Sequence, residues 1–221
     1  MTTTFVSPVC MSTHQRQCVH MACSLLLDYP STSFVETLSA VEGSLVSLPT
    51  PITTQLSTFC SHVRISGIRS LAEHYVSTFD QRRRCSLYLS YYAVGDTRQR
   101  GTAIVAFQDA LHSLGFELVR KELPDHLCVV LEASARADAA AHEAAVTMLA
   151  AHRDGIEVLR TALLGLDSPY AHVVSALCMS LPEIDAETKA YYHDLIHQGP
   201  PAELVGIGTP LPFPTSASSR T

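Results

Sequence analysis

The sequence predicts an all-α protein, a single helical bundle of about ten helices followed by a Pro-rich C-terminal tail. Three observations predict it. Apolar residues recur at helical steps through most of the chain, glycines number only 10 in 221 residues, and prolines fall between the periodic stretches rather than within them. No alternating strand pattern of comparable length competes; the one ambiguous piece is the short apolar run 128–131. Hydrophobic residues make up 47% of the chain and charged residues 16%, so a filled core is within reach. Trp is absent, which leaves Leu, Val and Ala to build most of it.

The expected helices, in order, begin with 13–28, which Pro30 closes. The next, 33–48, carries Phe34, Leu38, Val41, Leu45 and Leu48 at steps of 4, 3, 4 and 3, one stripe on one face. Ser33 with Glu36 three residues on reads as its capping box. Pro49 and Pro51 open 51–64, and 68–79 and 82–93 follow. The stretch 97–115 repeats the stripe with Ile104, Phe107, Leu111 and Leu114, then Leu118, and Gly115 is placed to interrupt it. Pro124 opens 124–135 at a first helical position, where no amide donor is needed. The segment 137–152 is alanine-rich, which permits close helix approach but buries little area per residue. In 154–166, Ile156, Leu159, Leu163 and Leu166 step by 3, 4 and 3, and Pro169 opens 169–180. A last helix is expected over 184–196. The helical domain therefore spans 1–197. Residues 198–221 hold five of the 12 prolines and two charges, Glu203 and Arg220, and read as an extended or disordered tail.

Composition excludes several functions. Acids outnumber bases 21 to 15, for a formal charge of −6, which argues against nucleic acid; the run Arg82-Arg83-Arg84 is too short to reverse that. No apolar run reaches the ~18 residues of a spanning helix. The N-terminus lacks a basic region followed by an apolar one, so a cytoplasmic location is expected. Seven cysteines, an odd number scattered through the chain, suit buried small hydrophobes in a reducing compartment.

Metal is the sharpest chemical alternative. His14, Cys18, His20 and Cys23 crowd one segment, and thiolate plus imidazole suits zinc. There is no Cys-x-x-Cys pair, however, and His20 points away from the His14–Cys18 face, so no metal and no other cofactor is expected. His142-Glu143 is followed by Val146 where a zinc-protease helix needs His, and neither a phosphate loop nor a nucleophile elbow is present. Nothing supports an enzyme.

Two elements stand out. In Gly95-Asp96-Thr97-Arg98-Gln99-Arg100-Gly101, Asp96 and Gln99 read as a capping box contributing about 1 kcal/mol, Asp96 and Arg100 as a helical ion pair, and Gly95 as the turn before the cap. Gly101 inside a helix suggests close approach of another backbone. In Glu122-Leu123-Pro124-Asp125-His126-Leu127, Asp125 reads as an exposed first-turn acid, and His126 as a group that titrates near neutrality.

Together these elements resemble the assembly chaperones of respiratory nitrate reductase, the delta-subunit type. The similarity extends to Leu25-Leu26-Leu27-Asp28-Tyr29-Pro30, to Leu71-Ala72-Glu73-His74-Tyr75 running into Arg82-Arg83-Arg84-Cys85, and to Ser168-Pro169-Tyr170-Ala171-His172, about residues 20–182 in all. Departures are Val94, where many relatives carry His, and Cys128 and Ala133 after the Pro-Asp-His run. The resemblance implies a non-catalytic helical protein that binds the catalytic (alpha) subunit of membrane nitrate reductase, through an N-terminal segment. It would hold that subunit competent for molybdenum cofactor and iron–sulfur insertion, then leave before membrane anchoring. The expected client-facing residues are Tyr91, Asp96, Arg98, Arg100, Asp125 and His126, with the two acids facing cationic client groups. A chaperone for another molybdoenzyme's twin-arginine leader is the alternative.

Overall fold

Helix α10 (Tyr170–Ser180) is the axis of the molecule, with nine of its 11 residues buried. A helix apolar on every side can only be stable with neighbours all round, and α10 has them. The computed structural model describes residues 6–117 and 122–183. In chain order its helices are α1 (Thr13–Leu26), α2 (Phe34–Ser44), α3 (Thr50–Ser66), α4 (Ile68–Tyr75), α5 (Leu89–Val94), α6 (Gln99–Ser113), α7 (Leu127–Arg136), α8 (Ala139–Ala151), α9 (Arg153–Leu164) and α10. Helices α1, α3 and α9 pack on α10, and α7 lies between α1 and α8. The architecture is thus the all-α bundle expected. The segment 184–196 and the tail lie outside the described residues.

The apolar stripes do what their spacing predicts. Phe34, Leu38, Val41, Leu45 and Leu48 are all buried, as are Ile156, Leu159 and Leu163, while Leu166 is half-buried. Five cysteines (Cys23, Cys60, Cys85, Cys128 and Cys178) are buried and every cysteine is free. In the 97–115 stripe only Phe107 and Leu111 are buried; Leu118 lies outside the described residues. Helix α6 is accordingly the most lightly attached of the long helices, resting chiefly on α5.

Several local expectations give way. Ser33 does not cap α2, because its hydroxyl bonds that of Ser31 at 2.9 Å. The capping box belongs to α1, where Ser12 Oγ accepts from Gln15 N and the Gln15 side chain accepts from Ser12 N. Asp96 does not cap α6 either; it pairs with Arg100 at 3.7 Å, as the four-residue spacing predicts. Pro124 is not a first helical residue but sits in the turn closed by His126 N donating to Leu123 O at 3.0 Å, and α7 starts at Leu127. Pro169 precedes the first residue of α10 rather than being it. The helix expected over 82–93 is broken into a 3-10 turn at Arg83–Cys85, extended backbone at Tyr88, and α5.

Gly155 explains close packing where Gly101 was expected to. A Cβ on Gly155 would stand 2.6 Å from Tyr92 Cβ, so α9 rides directly on α5. Nothing lies within 4 Å of where a Gly101 Cβ would be. Gly101→Ala is therefore expected to raise the unfolding free energy by up to about 1 kcal/mol, the helix-propensity difference; urea denaturation reads it.

Two polar networks are sealed inside. His20 lies fully buried, Nδ1 2.8 Å from Ser134 Oγ and Nε2 3.0 Å from Ser180 Oγ, joining α1 to α7 and α10. Ser134 also meets His142 Nδ1 of α8 at 3.1 Å. Burial, with the charges of His142 and Arg16 added, pushes His20 from 6.5 down to about 3. The folded protein therefore keeps His20 neutral where the unfolded chain protonates it. Its contribution is complete above pH 6.5 and is lost progressively as pH falls toward 3. Thermal unfolding from pH 7.5 to 4.5 should show a falling midpoint, with a shallower fall in His20→Gln. In the second network Glu157 of α9 pairs with Arg160 at 2.7 Å and Arg153 at 3.6 Å, all three buried.

Candidate functional site

The Glu122–Leu127 element is stitched to the segment before α5, and Arg100 of the Gly95–Gly101 element reaches the same place. Extended backbone before α5 runs antiparallel to the turn before α7: Leu89 N donates to Asp125 O at 2.9 Å, and Leu127 N to Leu87 O at 2.8 Å, with Tyr88 and His126 paired between them. This stitch is why the 82–93 helix breaks: the backbone of 87–89 bonds to another segment instead of to its own turn.

Asp125 and His126 hold the stitch. Asp125 is fully buried, and its Oδ2 accepts from Ser90 Oγ at 2.5 Å, which anchors the carboxylate at the start of α5. A buried acid at a helix N-terminus is favoured by the amide dipoles there. His126, 8% exposed, caps α7: its Nδ1 accepts from Cys128 N at 3.3 Å. That bond needs an unprotonated Nδ1, in keeping with burial lowering its pKa against the opposing charges of Glu122, Asp28 and Asp125. The expectation that Asp125 stands exposed in a first helical turn is overturned. Asp125 fastens α5 from across the fold, and His126 caps α7 from within the chain.

Beside the stitch opens a cleft of 490 Å³. Tyr75, Phe79, Tyr88 and Tyr91 supply its aromatic surface, Arg82, Arg83 and Arg100 its cationic groups, and Asp80 and Glu122 its acids, with His126 at the back. Tyr75 and Phe79 stand 4.7 Å apart between ring centroids, and Phe79 meets Tyr170 edge-on at 4.9 Å, so this surface is continuous with the core. The residues after α4, Val76–Asp80, form a π-helical turn that places Phe79 and Asp80 on the cleft. Such turns recur at functional sites because the extra residue reorients a side chain out of the regular ladder.

The opposite wall is Tyr88. Its ring meets His126 edge-on at 5.1 Å, its hydroxyl donates to Glu122 Oε1 at 2.9 Å, and the Arg100 guanidinium lies 5.2 Å from its ring centroid. Burial and the Glu122 bond raise the Tyr88 phenol to about 12, so it stays a donor. Tyr92 donates to the carbonyls of Arg84 and Ser86, which fixes the Arg-rich turn against α5.

Of the six residues expected to face a client, Tyr91, Arg100 and His126 line the cleft. Asp96 stands one step back, half-exposed and paired with Arg100; Arg98 is exposed and Asp125 lies beneath the surface. Neither acid is thereby aimed at the cleft, whose arginines outnumber its carboxylates three to two. Tyr75, Phe79, Tyr88, Arg82, Arg83 and Glu122 also line it and are not among the residues the sequence marked as client-facing. The aromatic pair at 75 and 79 has ordinary core spacing, so only the π turn distinguishes it. The weak metal set is not assembled. His20 is turned to Ser134 and Ser180, Cys23 Sγ contacts Val173 O at 3.6 Å, and only His14 and Cys18 approach each other, at 3.8 Å. Among the described residues no three His, Cys, Asp or Glu side chains group closely enough to hold a metal ion.

With this geometry in place, the similarities to known proteins can be set beside it. The model of the family described as nitrate reductase delta subunit matches residues 46–176. The nitrate reductase-like protein NarX of Mycobacterium tuberculosis strain H37Rv is 38% identical over 160 residues, 72% of this chain and 24% of NarX. The chain thus spans about a quarter of that relative's length. The probable nitrate reductase molybdenum cofactor assembly chaperone NarJ of Bacillus subtilis is 30% identical over 175 residues, covering 79% of this chain and 94% of the relative. The nitrate reductase molybdenum cofactor assembly chaperone NarJ of Escherichia coli K12 is 31% identical over 113 residues, 49% of this chain and 48% of that protein.

Proposed function

Because this chain belongs to the nitrate reductase delta subunit family, we propose that it is an assembly chaperone for a nitrate reductase during molybdenum cofactor insertion. Its role is non-catalytic, in keeping with relatives named as assembly chaperones. The observation that supports the reading is the cleft, lined by aromatic groups and bordered by Arg100 of the Gly95–Gly101 element and by Glu122 and His126 of the Glu122–Leu127 element. In this reading the immature catalytic (alpha) subunit inserts an apolar segment near its N-terminus into the cleft. Tyr91, Arg100 and His126 touch it, Arg98 stands on the rim, Asp96 orients Arg100, and Asp125 sets the wall. Burial of an amphipathic segment in a preformed groove supplies the affinity.

Binding only the immature client shifts its population toward the insertion-competent state, with no chemical step. Molybdenum cofactor and iron–sulfur insertion then complete before the client docks at the membrane. Among the described residues no helix of the chaperone is long and apolar enough to cross a membrane, and we place it in the cytoplasm with its client.

Co-expression of the tagged chain with a nitrate reductase catalytic subunit, in cells with and without cofactor synthesis, tests this. Capture of the cofactor-free subunit, reduced at least about tenfold by Tyr88→Ala or Arg100→Ala in protein shown folded by circular dichroism, is the expected result. Equal capture by the variants would remove the cleft from the reading, and no capture at all would remove the client.

A further inference from the structure

His74 and Ser168 belong to segments that carry the family resemblance, yet neither lines the cleft. They meet each other instead. His74 Nε2 lies 2.8 Å from Ser168 Oγ, just before α10, and 3.2 Å from Thr78 Oγ1, inside the π-helical turn Val76–Asp80. The His74 carbonyl also accepts from Ser77 Oγ at 3.0 Å, so two successive residues of the turn are tied to this one side chain and backbone. Thr78 and Ser168 are both buried. The His74 ring lies nearly parallel to that of Tyr170, 6.1 Å away between centroids, and Tyr170 in turn meets Phe79 edge-on at 4.9 Å. Phe79 is thus held from two sides, through the backbone of Thr78 and against the ring of Tyr170.

From this we infer that His74 is a positioning residue for the cleft: it pins the π turn to the entrance of α10 and so sets where Phe79 stands as apolar surface for a client. His74 itself touches no client. Isolated π turns are rare and need support from their surroundings. A one-residue shift toward regular α-helix turns residue 79 by about 100°, which takes its ring off the cleft. Burial, with His62 and Arg82 nearby, lowers the pKa of His74, so a neutral amide is the fitting replacement for its ring nitrogen. The inference rests on the reading of the cleft as a client site and adds a residue outside the cleft that shapes it.

The chain has no Trp, so Phe79→Trp places a single fluorescent reporter on the turn. In that background Thr78→Val and His74→Leu are expected to shift the emission maximum to the red and to increase quenching by acrylamide. His74→Gln should leave both as they were. Thr78→Val removes one hydroxyl and keeps the side chain's shape, so it serves even where His74→Leu fails to fold, as circular dichroism checks. Without the reporter, capture of the cofactor-free catalytic subunit on co-expression should fall about fivefold in Thr78→Val, the equivalent of one buried hydrogen bond. Capture by His74→Gln should match that of the unchanged chain. An unmoved reporter in Thr78→Val overturns the positioning role, whatever capture does. A moved reporter with full capture also overturns it, and the client site stands provided Tyr88→Ala still weakens capture. If Tyr88→Ala captures fully as well, the client reading falls and this inference with it.

Discussion

Glu157→Ala is expected to cost about 3–5 kcal/mol of unfolding free energy, the largest stability effect of any single substitution considered. Glu157 has no solvent exposure, and it is the counter-charge for Arg153 and Arg160, which are 2% and 7% exposed. Removing it takes from both guanidinium groups, which have little solvent, the buried carboxylate that they share. The loss propagates because Arg153 is also a fastener. It donates to Leu181 O at 2.7 Å, to Val6 O at 2.8 Å and to Pro182 O, and so ties the N-terminal segment to the exit of α10. Urea denaturation at pH 7 reads the effect, and a loss below about 1 kcal/mol would show that the pair is already solvated. Replacing all three charged groups by apolar residues of similar size should recover much of the loss, since a buried ion network is often no more stable than the hydrophobic group that fits its space.

Asp125→Ala is expected to lower stability by about 2–3 kcal/mol and to abolish client capture. The substitution deletes the acceptor of the buried Ser90 hydroxyl and leaves that hydroxyl unsatisfied. It also removes the side-chain tie between the start of α5 and the turn before α7, leaving the backbone pairing alone to position Tyr88, Tyr91 and His126 on the cleft. Asp125→Asn retains an acceptor for Ser90 and should keep most of the stability. The discriminating measurement is a double-mutant cycle of Asp125→Ala with Ser90→Ala. Coupling above about 1 kcal/mol is expected for directly bonded partners. Additivity would mean that Asp125 acts elsewhere. A client-facing carboxylate would instead lose binding with stability unchanged.

The helical class, the buried stripes of α2 and α9, the ion pair of Asp96 with Arg100, the turn at Gly95 and the helix break at Gly115 were all legible in the sequence. Each depends on residues within about one or two helical turns, a range over which spacing dictates geometry. The Pro-Asp-His element was legible as important but misread in kind. Nothing local shows that its acid is buried, because its partner Ser90 lies 35 residues away. The same distance problem hid the break in the 82–93 helix, whose hydrogen bonds go to the turn at 125–127.

Sequence by itself therefore determined the class, the order of most of the helices and the family resemblance. Tertiary structure alone decided which helix is central, that the glycine packed against another helix is Gly155 and not Gly101, and that Arg82 and Arg83 open onto an aromatic cleft. The physical reason is common to all three. Helix periodicity is encoded between near neighbours, whereas burial, close backbone approach and the lining of a cleft are set by groups brought together only by packing.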